Sequence, residues 1–158
     1  MRSGALFMVL VALAQCKERP GRVAVHVLLA HRTSVLLSVE NGTDRDIVML
    51  SPAAPSRQVD EAHCTVKLSS KIDDRVQPFA FAPELVTLRR GAKVQFNAPL
   101  YPLSLSKACA RWTVDAEYAY VTPQDAAGYS ENGSEEFRQH VLRVQQVATT
   151  TESITVQD

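Results

Sequence analysis

Hydrophobic and polar residues alternate with a period of two through most of the chain after residue 22. The alternating or β-branched segments cover residues 23–30, 35–40, 47–50, 63–68, 85–88, 93–98, 109–121 and 153–156. Alternation places every second side chain on the same face of an extended strand, and β-branched residues favour that conformation. The pattern predicts an all-β protein with about seven to nine short strands.

Turn-forming residues separate these segments. The cluster Asn41–Asp46 contains Asn-Gly, which predicts a hairpin from 35–40 into 47–50. Arg89-Arg90-Gly91 predicts a second hairpin between 85–88 and 93–98, with Val94 and Phe96 pointing inward. Residues 51–56 carry two prolines and residues 122–134 are polar, so both segments are interpreted as loops.

The segment 109–121 carries the strongest strand pattern. Its predicted core face consists of Trp112, Val114, Ala116, Tyr118 and Tyr120, and its predicted solvent face consists of Arg111, Thr113, Asp115 and Glu117. Cys109 has the parity of the solvent face, so it can pair with a cysteine of 63–68 only if the strand starts after it or carries a bulge.

Residues 135–144 fit two interpretations. Phe137, Val141 and Val144 lie on one face of a helix that Ser134 would cap. Phe137 and Val141 also share strand parity with Val147. We favour a short helix or irregular turn near 135–144.

These elements predict one domain, residues 22–158, folded as an antiparallel β-sandwich. The strand-turn-strand run 35–50 and the Thr87–Gly91 turn, which feeds the strand containing Phe96, resemble bacterial immunoglobulin-like and fibronectin-like extracytoplasmic domains. The resemblance implies an immunoglobulin-like sandwich, and a fold of this kind does not fix a function.

The N-terminus has the pattern of an export signal. Arg2 precedes an apolar segment, residues 5–14, whose ten residues are about half of what a membrane-spanning helix requires. Residues 1–15 are therefore predicted to form a signal peptide, helical during export, and the polar stretch 16–21 a tether. Cleavage before Gln15 would fit the small residues Ala12 and Ala14.

A second cleavage pattern overlaps the first. Leu13-Ala14-Gln15-Cys16 resembles the lipobox of bacterial lipoproteins, which implies that Cys16 is acylated and becomes the new N-terminus. Lys17 differs from the Asp that retains some lipoproteins in the inner membrane, so the resemblance implies an outer-membrane address. A soluble secreted protein is the alternative, and an apolar N-terminal element of a cytosolic protein is a third interpretation.

The chain has three cysteines, at 16, 64 and 109. If Cys16 carries lipid, an even pair remains in an oxidising compartment, which predicts a Cys64–Cys109 disulfide. Two separate buried thiols are the alternative.

Charge and motifs exclude several functions. Seventeen basic residues balance seventeen acidic ones, so no electrostatic footprint for nucleic acid is present. The four histidines, His26, His31, His63 and His140, have no metal-ligand spacing. We predict no enzyme activity, no cofactor and no metal site.

Three aromatic side chains are candidate partner contacts. Phe79 and Phe81 lie beside prolines, and Tyr129 lies in the polar loop; covering a sheet edge is their alternative role. The prediction is a cell-envelope lipoprotein that is held on a membrane by its lipid and binds an envelope protein or glycan. A small extracytoplasmic enzyme or metal carrier, with converging histidines, and a structural subunit, with a large exposed apolar patch, are the rival functions.

Overall fold

The computed structural model describes residues 21–73, 83–128 and 135–158, which fold mainly into strands. The strands are β1 (Val23–His31), β2 (Ser34–Asn41), β3 (Ile47–Leu50), β4 (Ser56–Asp60), β5 (Thr65–Ser69), β6 (Leu85–Leu88), β7 (Lys93–Pro99), β8 (Trp112–Val121), β9 (Gln146–Ile154) and β10 (Val156–Gln157). Two helices, α1 (Pro123–Ala126) and α2 (Glu135–Val144), lie between β8 and β9. The predicted all-β fold is confirmed.

The strands form two sheets that face each other across one core. The first has the order β10-β1-β2-β7, and the second has the order β4-β5-β8-β3-β6 with β9 paired to β8. Alternate side chains of both sheets fill the space between them, including Val35, Leu37, Leu68, Trp112 and Tyr118. This is the predicted sandwich. Most pairs are antiparallel, but β5 runs parallel to β8, and β10 runs parallel to β1.

The predicted faces of β8 are confirmed. Trp112, Val114, Ala116 and Tyr118 are buried in the core, and Tyr120 is partly buried against it. Asp115 and Glu117 lie on the opposite face and reach solvent. Further along that face Ala119 and Val121 are buried, because α2 covers this end of the strand with Phe137 and Val141.

Strand β8 changes partner along one of its edges. β9 pairs with residues 112–120 on one side, so β5 and β3 must share the other side. There β5 pairs with residues 113–117, and β3 pairs with Val121 and Tyr120. The second sheet therefore divides in two where β5 ends.

Ser70 occupies the point of division. Its backbone N–H donates to the carbonyl of Glu117 (2.9 Å), and its hydroxyl accepts from the backbone N–H of Ala119 (2.8 Å). The side chain therefore takes the place of a carbonyl that a longer β5 would supply. Both groups are buried, and an unpaired buried donor is costly.

Replacing Ser70 with alanine should lower the free energy of unfolding by about 1–3 kcal/mol, because the buried Ala119 N–H loses its acceptor. Urea denaturation of the purified protein measures the loss. Ser69→Ala is the matched control, since the Ser69 hydroxyl bonds Glu117 at the exposed surface and should change stability by less than about 0.5 kcal/mol. Equal losses in the two variants would contradict the role given to Ser70.

Neither predicted hairpin forms. β2 and β3 lie in different sheets, and so do β6 and β7, so the turns at 41–46 and 89–92 both cross the sandwich. Asn41 forms hydrogen bonds with both of these connections. Its buried side-chain amide donates to the carbonyls of Arg45 (2.9 Å) and Leu88 (3.0 Å), and its backbone carbonyl accepts from the N–H of Gly91 (2.7 Å). Val94 and Phe96 do point inward as predicted.

Several predicted boundaries also change. The predicted strand 63–68 begins only at Thr65, and the predicted loop 51–56 ends where β4 begins, a strand that the pattern did not indicate. The predicted strand 153–156 is divided between β9, which already starts at Gln146, and β10. Residues 123–126 of the predicted polar loop form α1, which is capped by the Thr122 side chain accepting from the N–H of Asp125. The predicted helix at 135–144 is confirmed.

Candidate functional site

The predicted disulfide between Cys64 and Cys109 is present, with 5.9 Å between the two Cα atoms. It connects the turn before β5 to the segment before β8. These two strands begin side by side and run parallel, with Thr65 opposite Thr113. Parallel neighbours cannot be joined by a tight turn, and a long stretch of chain separates β5 from β8. The disulfide therefore fixes the starts of two strands that are adjacent in the sheet but distant in sequence.

Local backbone geometry explains how the two cysteines meet. Cys64 lies outside the strand that was predicted to contain it and adopts a left-handed conformation, with φ of 50°. In that position its carbonyl accepts from the N–H of Thr113 (2.9 Å). Because β8 begins at Trp112, Cys109 is free of the strand parity that would have pointed it away.

The outer face of β4, β5, β8 and β9 forms a polar depression of about 450 Å³, here called the polar face. Cross-strand register builds it from two rows: Gln58, Lys67, Asp115 and Thr151, then Ser56, Ser69, Glu117 and Thr149. Sequence analysis predicted its β8 members as a solvent face, but missed the hydroxyl residues of β4 and β9.

Hydroxyl groups hold two of the three carboxylates that line the polar face in place. Thr151 donates to Asp115 (2.8 Å), and Ser69 donates to Glu117 (3.1 Å). Lys67 and Lys71 also line the depression. Carboxylates, hydroxyls and ammonium groups on one surface can donate to and accept from a polar ligand such as a glycan.

A second depression, about 330 Å³, separates the edge of β1 from the edge of β9. We call it the edge groove. Residues 22–26 form one wall, residues 147–150 form the other, and Tyr120 contributes to the lining. Val23, Val25 and Ala148 make part of the lining apolar.

Glu152 lies beside His26, one of the residues that line the edge groove. Its carboxylate accepts from the backbone N–H of Val27 (3.0 Å) and from the hydroxyl of Thr150 (3.1 Å), and it lies 3.8 Å from Nδ1 of His26. A single side chain on one sheet is therefore bonded to the backbone of the other sheet.

Three histidines each lie near a different carboxylate. His26 faces Glu152, His63 bonds Asp60 (2.8 Å) and His140 bonds Asp125 (3.0 Å). The hydrogen bond from His63 holds the pKa of Asp60 below its ordinary value. For Asp125, the Thr122 hydroxyl lowers the pKa most, and His140 adds to the effect. Over the three described ranges, no group of three or more His, Cys, Asp or Glu side chains could hold a metal ion.

Acid should selectively weaken the first turn of α2. Arg138 and, secondarily, Gln139 donate to Glu135 and hold its pKa at about 2, below the ordinary 4.5. A carboxyl whose pKa is lowered by folding stabilises the fold above its unfolded pKa, and the contribution disappears as the pH falls through the folded pKa. The stability difference between the wild type and Glu135→Gln should therefore be largest above pH 4.5 and shrink toward pH 2.

Urea denaturation at several pH values between 2 and 6 measures this difference. Glu136→Gln removes another first-turn acid without disturbing the Arg138 pair, so it controls for the general effect of charge at a helix N-terminus. A stability difference between the wild type and Glu135→Gln that stays constant from pH 6 down to 2 would contradict the lowered pKa of Glu135.

Four of the predicted site residues lie outside the described residues: Cys16, Phe79, Phe81 and Tyr129. The predicted cap Ser134 lies outside them as well. Within the described residues the large hydrophobic side chains most exposed to solvent are Leu28, Tyr101 and Leu103. Sequence analysis did not single these out.

No family model matches the chain, and neither a curated protein nor a solved structure matches it. In the part of the chain that the structure describes, neither helix has the length and hydrophobicity needed to span a membrane.

Proposed function

We propose that this protein is a cell-envelope lipoprotein whose β-sandwich acts as a non-catalytic binding domain. Cys16 carries the lipid, residues 16–21 tether the domain to the membrane, and the domain is presented outside the cytoplasm. The ligand is an envelope protein or an envelope glycan.

The disulfide is the observation that carries the proposal. Structural disulfides form and persist in oxidising compartments and are rare in the cytosol. Pairing Cys64 with Cys109 uses two of the three cysteines and leaves Cys16 alone, directly after the apolar leader. Acylation of Cys16 gives that remaining thiol a chemical role.

Two surfaces support a binding role. The polar face offers oriented hydroxyls and carboxylates across four strands. The edge groove offers polar side chains next to an apolar lining. Both lie on strands that are held by ladders over most of their length, and rigid elements position contacts better than loops.

Metabolic labelling with a clickable palmitate analogue, followed by membrane fractionation of the bacterial cells, tests the proposal. The wild type should incorporate the label and sediment with membranes, and Cys16→Ser should do neither. The double variant Cys64→Ala/Cys109→Ala is the matched control, because it removes two thiols and should keep the label. Unlabelled wild-type protein recovered from the cytosolic fraction would refute the proposal.

A further inference from the structure

Three segments of the chain meet at one end of the sandwich, residues 21–22, 40–46 and 89–93. The backbone N–H of Gly42 donates to the carbonyl of Arg22 (3.0 Å). The carboxylate of Asp46 accepts from the backbone N–H of Arg90 (2.9 Å). The three segments therefore form one hydrogen-bonded surface, which we call the tether end because the proposed tether joins the domain there.

Positive charge is concentrated at the tether end. Its five exposed cations are Arg22, Arg45, Arg89, Arg90 and Lys93, and its three carboxylates belong to Glu40, Asp44 and Asp46. The other described residues have the opposite balance, with eight cations and eleven carboxylates. The whole chain is neutral, but its charge is distributed so that the end nearest the proposed anchor is positive.

Three arginines of the tether end are available to an external anion. Among the described residues, no carboxylate pairs with the side chains of Arg22, Arg89 or Arg90. Asp125 of α1, which follows the bordering Thr122, already accepts from the Thr122 hydroxyl (2.7 Å). A planar guanidinium can donate two parallel hydrogen bonds to one phosphate group. The tether end therefore offers unoccupied donors of the kind that phosphate groups accept.

The remaining two cations of the tether end have only exposed, long ion pairs. Arg45 lies 3.4 Å from Asp44, and Lys93 lies 3.9 Å from Glu40. Exposed pairs of this kind contribute little to stability, so they can exchange a carboxylate partner for another anion at small cost.

We propose that the tether end docks on the anionic phospholipid headgroups of the membrane that holds the protein. Docking places the opposite end of the sandwich toward solvent. The inference rests on the proposed function, because the lipid on Cys16 supplies the anchor, and it adds the orientation of the domain and the class of lipid that it contacts.

The length of the tether keeps this surface next to the membrane. Gly21 follows Cys16 by five residues, and an extended chain covers at most about 3.6 Å per residue, so Gly21 lies within about 18 Å of the lipid-bearing residue. The Gly21 N–H donates to the carbonyl of Gly42 (2.9 Å), which fixes the start of the domain. From there β1 carries the chain about 26 Å further, to His31. The tether end is therefore the part of the domain that the anchor holds closest to the headgroups.

The anchor makes a modest charge sufficient for docking. Five cations against three carboxylates leave an excess of two, which is too small to hold a free protein tightly on a membrane. A short tether replaces that bimolecular encounter with an intramolecular one at high effective concentration. Anionic lipids attract basic groups near the surface, and a basic patch is a common second signal beside a lipid chain. Docking should therefore require anionic lipid and weaken with salt.

Arginine footprinting on vesicles tests the docking. The mature chain is produced without its leader, and the thiol of Cys16 is coupled to a maleimide phospholipid in vesicles of phosphatidylglycerol or of phosphatidylcholine. Phenylglyoxal, a neutral reagent, then modifies accessible arginines, and mass spectrometry gives the rate at each one. On phosphatidylglycerol the rates at the four arginines of the tether end should fall at least about threefold relative to phosphatidylcholine. The rate at Arg111, which is exposed just before the far end of β8, should not change, and about 0.5 M sodium chloride should remove the difference.

A charge variant tests whether these cations cause the docking. The triple variant Arg45→Gln/Arg89→Gln/Arg90→Gln leaves Arg22 as the reporter and makes the carboxylates of the tether end outnumber its cations. Protection of Arg22 on phosphatidylglycerol should disappear in this variant. Circular dichroism checks that it is folded.

The matched control removes the same charge elsewhere. Lys67→Gln/Lys71→Gln/Lys107→Gln replaces three exposed cations outside the tether end and should keep the wild-type protection of Arg22. If the arginine variant does not fold, the wild-type rates on the two lipids decide alone.

Several results would overturn the proposal. They are equal rates on the two lipids, protection of Arg111 as strong as that of the tether end, protection that persists in high salt, and full protection of Arg22 in the folded arginine variant. The maleimide lipid supplies the anchor directly. Docking can therefore fail while cells acylate Cys16, and acylation can fail while the coupled protein docks.

Discussion

Replacing Cys64 and Cys109 together with alanine should lower the free energy of unfolding by about 4 kcal/mol in the chain-entropy account of disulfides. The bond joins residues 45 apart in sequence, and removing it lets the unfolded chain explore conformations that the crosslink forbids. A loss of this size is a large fraction of the stability of an ordinary domain, about 5–15 kcal/mol. Guanidinium denaturation, monitored by circular dichroism, measures it.

Reduction provides the internal control for the disulfide prediction. The wild type treated with dithiothreitol should lose about as much stability as the alanine double variant, and the variant itself should not respond to the reductant. A loss smaller than about 1 kcal/mol would mean that native strain or residual order in the unfolded chain cancels the entropic effect.

Trp112→Ala is expected to lower the free energy of unfolding by about 3–5 kcal/mol, because truncating a buried aromatic removes apolar contacts and leaves a cavity. Trp112 is fully buried at the start of β8, opposite Ile154 of β9, and its indole N–H donates to the carbonyl of Ser106 (3.3 Å). It therefore connects the core to the loop that leads toward Cys109.

Trp112→Phe tests how much of the loss comes from the size of the cavity. Phenylalanine keeps an aromatic ring in the core, leaves a smaller cavity than alanine does, and also loses the bond to Ser106, so the loss should be well below that of the alanine variant. Urea denaturation must be followed by circular dichroism here, since Trp112 is the only tryptophan and both substitutions remove its fluorescence. Equal losses for the two variants would show that the cavity is not the dominant cost.

Side-chain alternation predicted the faces of β8 because every inward position of that strand meets the same core. The disulfide was predicted from the parity of the cysteine count and from compartment chemistry, and it needed only that β8 begin after Cys109. Neither prediction requires knowing which sheet each strand joins.

The hairpins were wrong because turn residues do not specify which sheet the next strand joins. Gly42 permits a close approach to Arg22, whose carbonyl would lie 2.7 Å from an added Cβ, and this requirement gives the same sequence signal as a tight hairpin. The amide of Asn41 then bonds Leu88, far along the chain. Only the assembled sandwich distinguishes the two connections.

The two candidate surfaces were only partly predictable. β9 carries a polar, threonine-rich pattern, so its first half gave little hydrophobic alternation, although Thr149 and Thr151 are β-branched and compatible with a strand. The edge groove depends on where the pairing of β1 with β10 ends. It also depends on a single carboxylate, Glu152, which joins the two sheets. Neither feature has a local sequence signature.

Intact-mass analysis of the protein purified from bacterial membranes is the most direct test of the central claim, that this sandwich is an envelope domain anchored through Cys16. The account predicts a chain that begins at Cys16, carries added acyl mass and is two hydrogen atoms lighter than the fully reduced form. A mass that retains residues 1–15, with three unmodified thiols, would contradict it.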